Sequence, residues 1–374
     1  MVAGLRAWLH DLMRRVVGPV TLAHSVSIGE LTLAQPSLAE AWRAYKLRWK
    51  RRQLLVRAFR KRRQVKVVAD RTGVIRPGDI LAFVTIRNEA LRLPYFLDHH
   101  RKLGVDHFII VDNGSDDGSR DWLAGQDDVS VWVTGHGYKQ SRFGLDWLTW
   151  LQRGYGAGHW CLTLDADEIL IYPYFETRDL RALTGRLEAQ GLNAFGAFML
   201  DMYPKGPLDE HSYEAGQDPV EVLPWFDSGN YVVQVQPRMR NLWIQGGVRA
   251  RQFFAGEPRR APTLNKVPLV RWERGFAYVN STHAILPRRL NAVFDEAGGE
   301  RISGILLHTK FLAVVVEKAR EERERQQHFN NSALYEDYYH SLSQSPDLWC
   351  SHSARYGGWR QLEAMGLMSR GGWA

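Results

Sequence analysis

A chain of 374 residues, 45% of them hydrophobic and 14 of them Trp, can bury one large core or two ordinary ones, which excludes a largely disordered protein. Its net charge of +8 and pI near 9.5 suit an anionic partner: nucleic acid, a phosphorylated small molecule or an anionic membrane face. The two cysteines, Cys161 and Cys350, exclude a disulfide framework and fit a reducing compartment.

The first 36 residues carry a short helical stripe of Leu5, Leu9, Leu12 and Val16. Arg6, His10, Asp11, Arg14 and Arg15 interrupt it, so the clean apolar centre of a secretory signal is missing. No apolar run reaches the roughly 18–20 residues of a spanning helix, and a cytoplasmic protein is the expectation. Residues 37–66 read as a basic helix. Ser37 with Glu40 three positions on forms a capping box, and Leu38, Trp42, Tyr45 and Trp49 share one helical face. Between positions 43 and 66 stand twelve basic residues and no acid. Two readings follow. Either the helix packs along that apolar face with its charges solvated, or it rests on anionic lipid or a polyanionic acceptor, peripheral on the inner face of the cell membrane.

At Asp79 the texture changes. "DILAFVTI" is an apolar run of strand length leading into "RNEA". Leu93, Leu97, His100 and Leu103 line one helix face, stopped by Gly104. "HFIIVDNGSDDGS" is a second strand entering a polar loop, and "VSVWV" is a third strand. Phe143, Trp147 and Trp150 mark a helix ending near Gly154, "WCLTL" is a fourth strand, and Leu180, Leu183 and Leu187 mark a helix stopped at Gly191. "AFGAFML" is a fifth strand. Strands alternating with helices predict an α/β fold with a mainly parallel sheet and helices on both faces. Ligands of such sheets bind beyond the carboxyl ends of the strands. "RNE", "DNGSDD" and "DADE" all lie there, so the connectivity gathers them on one rim. Residues 201 to about 301 are irregular and read as loops with an antiparallel extension. "GILLHTKFLAVVVEKAREERERQQHF" begins as a strand and ends as a charged helix, and the aromatic tail is helical in part. The expected parts are a basic helical extension at 1–75, the α/β domain at 76–310 and a helical segment at 311–374.

The stretch "CLTLDADEIL" places Asp165, Asp167 and Glu168 at the end of an apolar run. Carboxylates so close raise one another's pKa unless a cation sits among them. Side chains two apart on an extended chain point the same way, so Asp165 and Asp167 can face one hard cation, Mg²⁺ or Mn²⁺, which also takes oxygens from a diphosphate. In isolation an Asp-x-Asp is an ordinary capped acidic turn; the two upstream rim clusters favour the cation.

In that order and spacing, "VTIRNEA", "IIVDNGSDDGS" and "LTLDADE" resemble the nucleotide-sugar domain of family-2-like glycosyltransferases with a GT-A fold. "RNE", "LDADE" and "LLHTKF" are closest to the bacterial glycosyl transferase family 2 branch, over about residues 78–310. The resemblance implies metal-dependent transfer of a sugar from a nucleotide-diphosphate donor, a UDP-sugar first, to a hydroxyl of a glycan or lipid-linked acceptor, with Mn²⁺ or Mg²⁺ as cofactor. It implies that Thr85, Arg87 and Glu89 line the nucleoside pocket and that Asp112 or Asn113 bonds the base. Asn113 stands where many relatives carry a second Asp. It implies that Asp165 contacts ribose or metal, Asp167 the metal, His308 the metal or a phosphate, and Lys310 the diphosphate. Arg249 and Arg251 of "GGVRARQF" lie on one side of an extended segment and suit a pyrophosphate clamp, or a basic surface hairpin. An inverting transfer needs a general base. Asp201, at a strand's carboxyl end, leads Asp209, Glu210 and Glu214 for that role, with a solvated loop acid as the plain alternative.

Two other functions are weighed. A haloacid-dehalogenase-type phosphatase also uses an Asp-x-Asp, but on the first strand and with Thr or Val two places on; here the pair follows the fourth expected strand and Ile169 holds that place. A non-catalytic membrane- or nucleic-acid-binding protein accounts for residues 37–66 but leaves three polar clusters on one rim unexplained. No nucleic acid is expected as a partner.

Overall fold

The computed structural model describes residues 38–294, 301–325 and 332–374; the leucine stripe of residues 1–36 and the Ser37 cap lie outside them. The basic helix is α1 (Leu38–Lys61). Its packed face is not the one expected from spacing. Leu47, Leu54 and Ala58 are buried, Leu47 and Leu54 clustering with Ala277 and Leu286, while Trp42, Tyr45 and Trp49 stand exposed. The helical period finds both stripes; the protein covers the aliphatic one.

Lys66–Ala69 (β1) pairs antiparallel with Val129–Val133 (β4), so the sheet begins inside the expected N-terminal extension. Ile80–Ile86 (β2), His107–Asp112 (β3) and Trp160–Leu164 (β5) complete a parallel block in the order β4-β3-β2-β5. Glu168–Ile171 (β6), Ala194–Asp201 (β7), Asn265–Arg271 (β11) and Ser303–His308 (β14) extend it to nine strands, β1-β4-β3-β2-β5-β11-β7-β14-β6. Six of the nine run in one direction; β1, β6 and β11 oppose them. The sheet is therefore mainly parallel, and helices cover it on both faces. Ile80, Ala82 and Val84 pack in one core with Leu93, Phe96 and Leu97 of α2 (Leu93–Lys102) and Leu180, Leu183 and Leu187 of α5 (Leu180–Ala189). The alternate residues, Leu81 and Phe83, pack in a second core with Leu145, Trp147 and Leu148 of α4 (Leu145–Leu151). Cover on both faces explains why these strands read as unbroken apolar runs.

The short α3 (Ser119–Ala124) follows β3, and α6 is Pro219–Val222. Paired ribbons carry the irregular region: β8 (Trp225–Asp227) with β15 (Ser353–Arg355), β9 (Val232–Gln236) with β10 (Asn241–Gln245), and β12 (Ala277–Tyr278) with β13 (Ile285–Leu286). The carboxy-terminal segment holds α8 (Val314–Arg325), α9 (Ser332–Ser343) and α10 (Trp359–Ala364). Pairing of β15 with β8 ties this segment to the domain.

"GGVRARQF" is not extended. Gly247–Phe253 is a helix, α7. Gly246 takes φ +138° and ψ −149°, and a Cβ there would collide with the Asn230 carbonyl. Only glycine turns the chain so abruptly from β10 into α7. Gly246→Ala is expected to destabilise by about 1–3 kcal/mol, read as a lower urea midpoint.

Candidate active site

The first two polar clusters are stitched to each other at the carboxyl ends of β2 and β3. Asn88, in the left-handed region at φ 53°, exchanges bonds with Asp116: its Nδ2 donates to Oδ1 at 2.8 Å and its Oδ1 accepts the Asp116 N–H at 3.0 Å. The N–H groups of Asn88, Glu89 and Ala90 donate to Ser115 Oγ, Ser119 Oγ and Asp117 Oδ2. The run of small polar residues thus binds one loop's backbone to the next. Asp112, fully buried, accepts from the Ser115 N–H and hydroxyl, and Asn113 Nδ2 donates to the Thr134 and His136 carbonyls. Against the expectation that one of them reads a base, the Asp112 carboxylate and the Asn113 amide N–H groups are engaged in shaping the loop. Glu89, placed in the nucleoside pocket by resemblance, is instead held by Arg92 Nη1 and Lys318 Nζ, each at 2.7 Å. Arg87 is exposed at the loop tip. Thr85 has a buried hydroxyl with no partner, close under Gly144, where a Cβ would collide with it.

The acidic turn spans the rim. Only Asp165, Ala166 and Asp167 separate β5 from β6, yet β11, β7 and β14 lie between those strands in the sheet. The first half of the turn sits over a buried lysine. Lys266 Nζ lies 2.9 Å from Asp165 Oδ2 and also pairs with Glu168 Oε1, and Glu168 Oε2 accepts the Asp165 N–H at 3.2 Å. Glu168 has no exposed surface, whereas the Asp165 side chain is 48% exposed. Burial pushes the Glu168 carboxyl up to about 7 against the pull of Lys266. Burial also opposes the charge of Lys266, but Asp165 and Glu168 outweigh it and raise its pKa.

The second half of the turn meets a chain of four ionisable groups. His308 Nε2 lies 3.2 Å from Asp167 Oδ2, His308 Nδ1 lies 2.5 Å from Asp201 Oδ1, and Arg249 Nε donates to Asp201 Oδ2 at 2.7 Å. Strand register brings them together, because His308 stands opposite Asp201 in the β14–β7 pair and opposite Glu168 in the β14–β6 pair. Thr309 holds the Asp167 carbonyl through its N–H at 2.7 Å. Burial disfavours the Asp167 carboxylate, yet His308, Arg92 and Lys310 bring its pKa well below the ordinary carboxyl range. Burial likewise opposes charge on Asp201 and His308. Arg249 and His308 lower the Asp201 pKa, and Asp167 with Asp201 raises that of His308.

These positions revise several expectations. Asp201 does lie at its strand's end, but it is 4% exposed and both oxygens are engaged. Its two oxygens are taken up by His308 and Arg249, an arrangement suited to orienting His308. Arg249 is paired with Asp201, while Arg251 turns to Asp227 and the Leu348 carbonyl at 2.7–3.0 Å. On a helix, residues two apart do not share a face, so the two arginines form no joint clamp. Lys310 is half-buried and its charge reaches Asp167.

The donor set admits a cation at one place. With Nδ1–H given to Asp201, the Nε2 of His308 is a lone pair unless the ring is doubly protonated. A carboxylate behind a histidine is the arrangement that orients an imidazole ligand. Asp167 and His308 thus suit Mg²⁺ or Mn²⁺, which bind through one or two side chains plus substrate phosphate. Asp165, expected in the metal set, has one oxygen on Lys266, which it shares with Glu168. Among the described residues no cluster of three or more His, Cys, Asp or Glu donors converges.

Two residues were not read from the sequence. Arg92, 7% exposed, has its Nε without a partner, as does Nη2 of Arg249. Two buried guanidinium N–H groups, both on arginines whose charge is felt by Asp167, thus lack a partner among the described residues. Arg92 stands three positions after Glu89 on the way into α2, a helical ion-pair spacing the sequence does display. Tyr138 is the other: burial, then the charges of Asp165, Asp167 and Glu168, raise its pKa.

No family model matches this chain. No curated protein matches it either. Among solved structures it is similar to 4-diphosphocytidyl-2C-methyl-D-erythritol synthase, at 19% identity over 37% of this chain and 66% of that one, with a TM-score of 0.23. It is also similar to a putative glucose-1-phosphate thymidylyltransferase from Bacillus anthracis, at 8% identity over 37% of this chain and 65% of that one, with a TM-score of 0.22. In each case the match spans just under two thirds of the other protein. Likeness at that level decides neither fold nor activity, and both rest on this chain's own geometry.

Proposed function

We propose that the protein is a metal-dependent glycosyltransferase that takes a sugar from a nucleotide-diphosphate donor, a UDP-sugar first, and passes it to a hydroxyl of a glycan or lipid-linked acceptor. The observation that carries this reading is the Asp167–His308–Asp201–Arg249 chain at the carboxyl ends of a mainly parallel sheet. The unpartnered N–H groups of Arg92 and Arg249 stand by it. A divalent cation held by Asp167 and His308 would supply positive charge for the departing diphosphate. Arg92 and Arg249 offer N–H donors to its oxygens, and Lys310 adds charge. Asp165, half exposed and fixed by Lys266, is placed to accept from a donor hydroxyl. The acidic pair follows the fifth strand of the described chain, away from the first-strand position of the phosphatase alternative.

The reading is tested by calorimetric titration of UDP-, GDP- and CMP-sugars with and without Mn²⁺. At least one donor is expected to bind only with the metal, and Asp167→Ala to weaken that binding by about 100-fold or more. Metal-independent binding, or none with any nucleotide sugar, rejects it.

A further inference from the structure

Along α1, Trp42, Tyr45, Trp49, Val56 and Phe59 are each between 46% and 57% exposed. Their spacing puts them on one stripe about 26 Å long. Trp42 stacks on Tyr45 at 5.6 Å and Tyr45 meets Trp49 edge-on at 6.3 Å. Cations flank the stripe: Lys46 lies 5.3 Å from the Trp42 ring, Arg52 5.6 Å from Trp49 and Arg62 3.7 Å from Phe59. Beside it, between α1 and residues 286–289, runs a groove of about 600 Å³ lined by Arg48, Arg51, Arg52, Arg288 and Arg289, with Tyr45 on its wall.

Among the described residues those arginines have few counter-charges. Among the described residues, Arg289 meets Glu273 at 3.5 Å with both side chains more than half exposed. Arg288 Nη1 donates to the Arg238 carbonyl at 3.5 Å, and among the described residues no ion pair reaches Arg48, Arg51 or Arg52. Partial burial, then Arg238 and Arg142, lower the pKa of neighbouring Lys50, as expected where cations crowd without acids. A positively charged groove next to an exposed aromatic ridge is costly to leave in water and complementary to a surface that is anionic outside and apolar beneath.

We propose that this face of α1 docks the protein on an anionic phospholipid surface, the arginine groove receiving lipid phosphate while Trp42, Tyr45 and Trp49 enter the headgroup layer. A nucleic-acid duplex would be met by cations along the ridge, with the apolar residues turned away; here the apolar residues are the ridge. The opposite side of α1 reaches towards the site. Arg57 and Lys61 grip buried Asp146 and the Gln140 carbonyl, in the segment that carries Tyr138. Docking would therefore hold the rim near the lipid.

The test is sedimentation of the full chain with vesicles of phosphatidylcholine, with and without phosphatidylglycerol, and no nucleotide present, so that it stands apart from the donor reading. Binding is expected only with the anionic lipid, weakening as salt rises. The triple variant R48Q/R51Q/R52Q is expected to bind about tenfold or more weakly. Trp42→Ala with Trp49→Ala is expected to weaken binding without moving the thermal transition, since both rings are exposed. Equal binding to neutral vesicles, wild-type affinity in both variants, or capture by single-stranded DNA without vesicle binding would overturn the proposal.

Discussion

Lys266→Ala is expected to cost roughly 3–5 kcal/mol of stability, the loss seen when one partner of a buried ion pair is removed. Lys266 is 2% exposed and its Nζ serves both Asp165 and Glu168. Without it Glu168 has no counter-charge in a place from which water is excluded, while Asp165, half exposed, keeps its hydration. Urea unfolding reads the loss, and its pH dependence reads the cause. The Glu168 carboxyl sits at about 7 in the folded protein against an ordinary 4.5. Between those values the folded state keeps a proton that the unfolded chain has released. This group's contribution is therefore full below 4.5 and is lost as pH rises through about 7. Removing Lys266 extends the window upward, so the deficit of the variant should be smaller at pH 5 than at pH 8. Glu168→Gln in the same background should restore much of the loss at pH 8, and a double-mutant cycle isolates the pair. A deficit independent of pH would mean that Lys266 acts by packing its stem.

The legible part of this protein was the part that burial repeats along the chain. β2, β3, β5 and β7 are covered on both faces, so each appears as an apolar run, and the polar clusters that follow them fall on one rim by connectivity. What could not be read was pairing across distance. Lys266 meets Asp165 from 101 positions away, and Arg249 is drawn to Asp201 by a helix whose start depends on the conformation of Gly246. Alternating Arg-x-Arg after two glycines has an extended look, and nothing local shows which way that turn goes. The stripe on α1 failed differently. Trp42, Tyr45 and Trp49 do share a face, but a helical period does not say what covers it. Asp112 and Asn113 show a third limit: a residue at a rim can be polar because its own loop needs the bonds. Glu168, the acid a metal argument leaves over, is the anchor that keeps Lys266 under the turn.

Asp201→Asn separates two roles that sequence position alone cannot. If Asp201 orients His308, the variant should bind Mn²⁺ 10–100-fold more weakly, measured by calorimetry on the protein without nucleotide. The pH dependence should shift as well. For Nε2 to face a cation His308 must shed its second proton, and Asp167 together with Asp201 raises its pKa above the ordinary 6.5. Wild-type affinity for Mn²⁺ should therefore climb with pH above 6.5. The imidazolium's contribution to stability runs the other way: it is full below 6.5 and lost as pH rises through the folded value. Asn removes one of the two carboxylates, so the climb in affinity should begin at lower pH. Stability is expected to fall too, because buried Arg249 loses its partner, and the titrations are read below the variant's unfolding transition. With transfer as the readout, saturating Mn²⁺ should recover most of the turnover if Asp201 acts through His308. Unchanged Mn²⁺ affinity with a large loss of turnover at saturating metal would instead return Asp201 to the acceptor side as the general base.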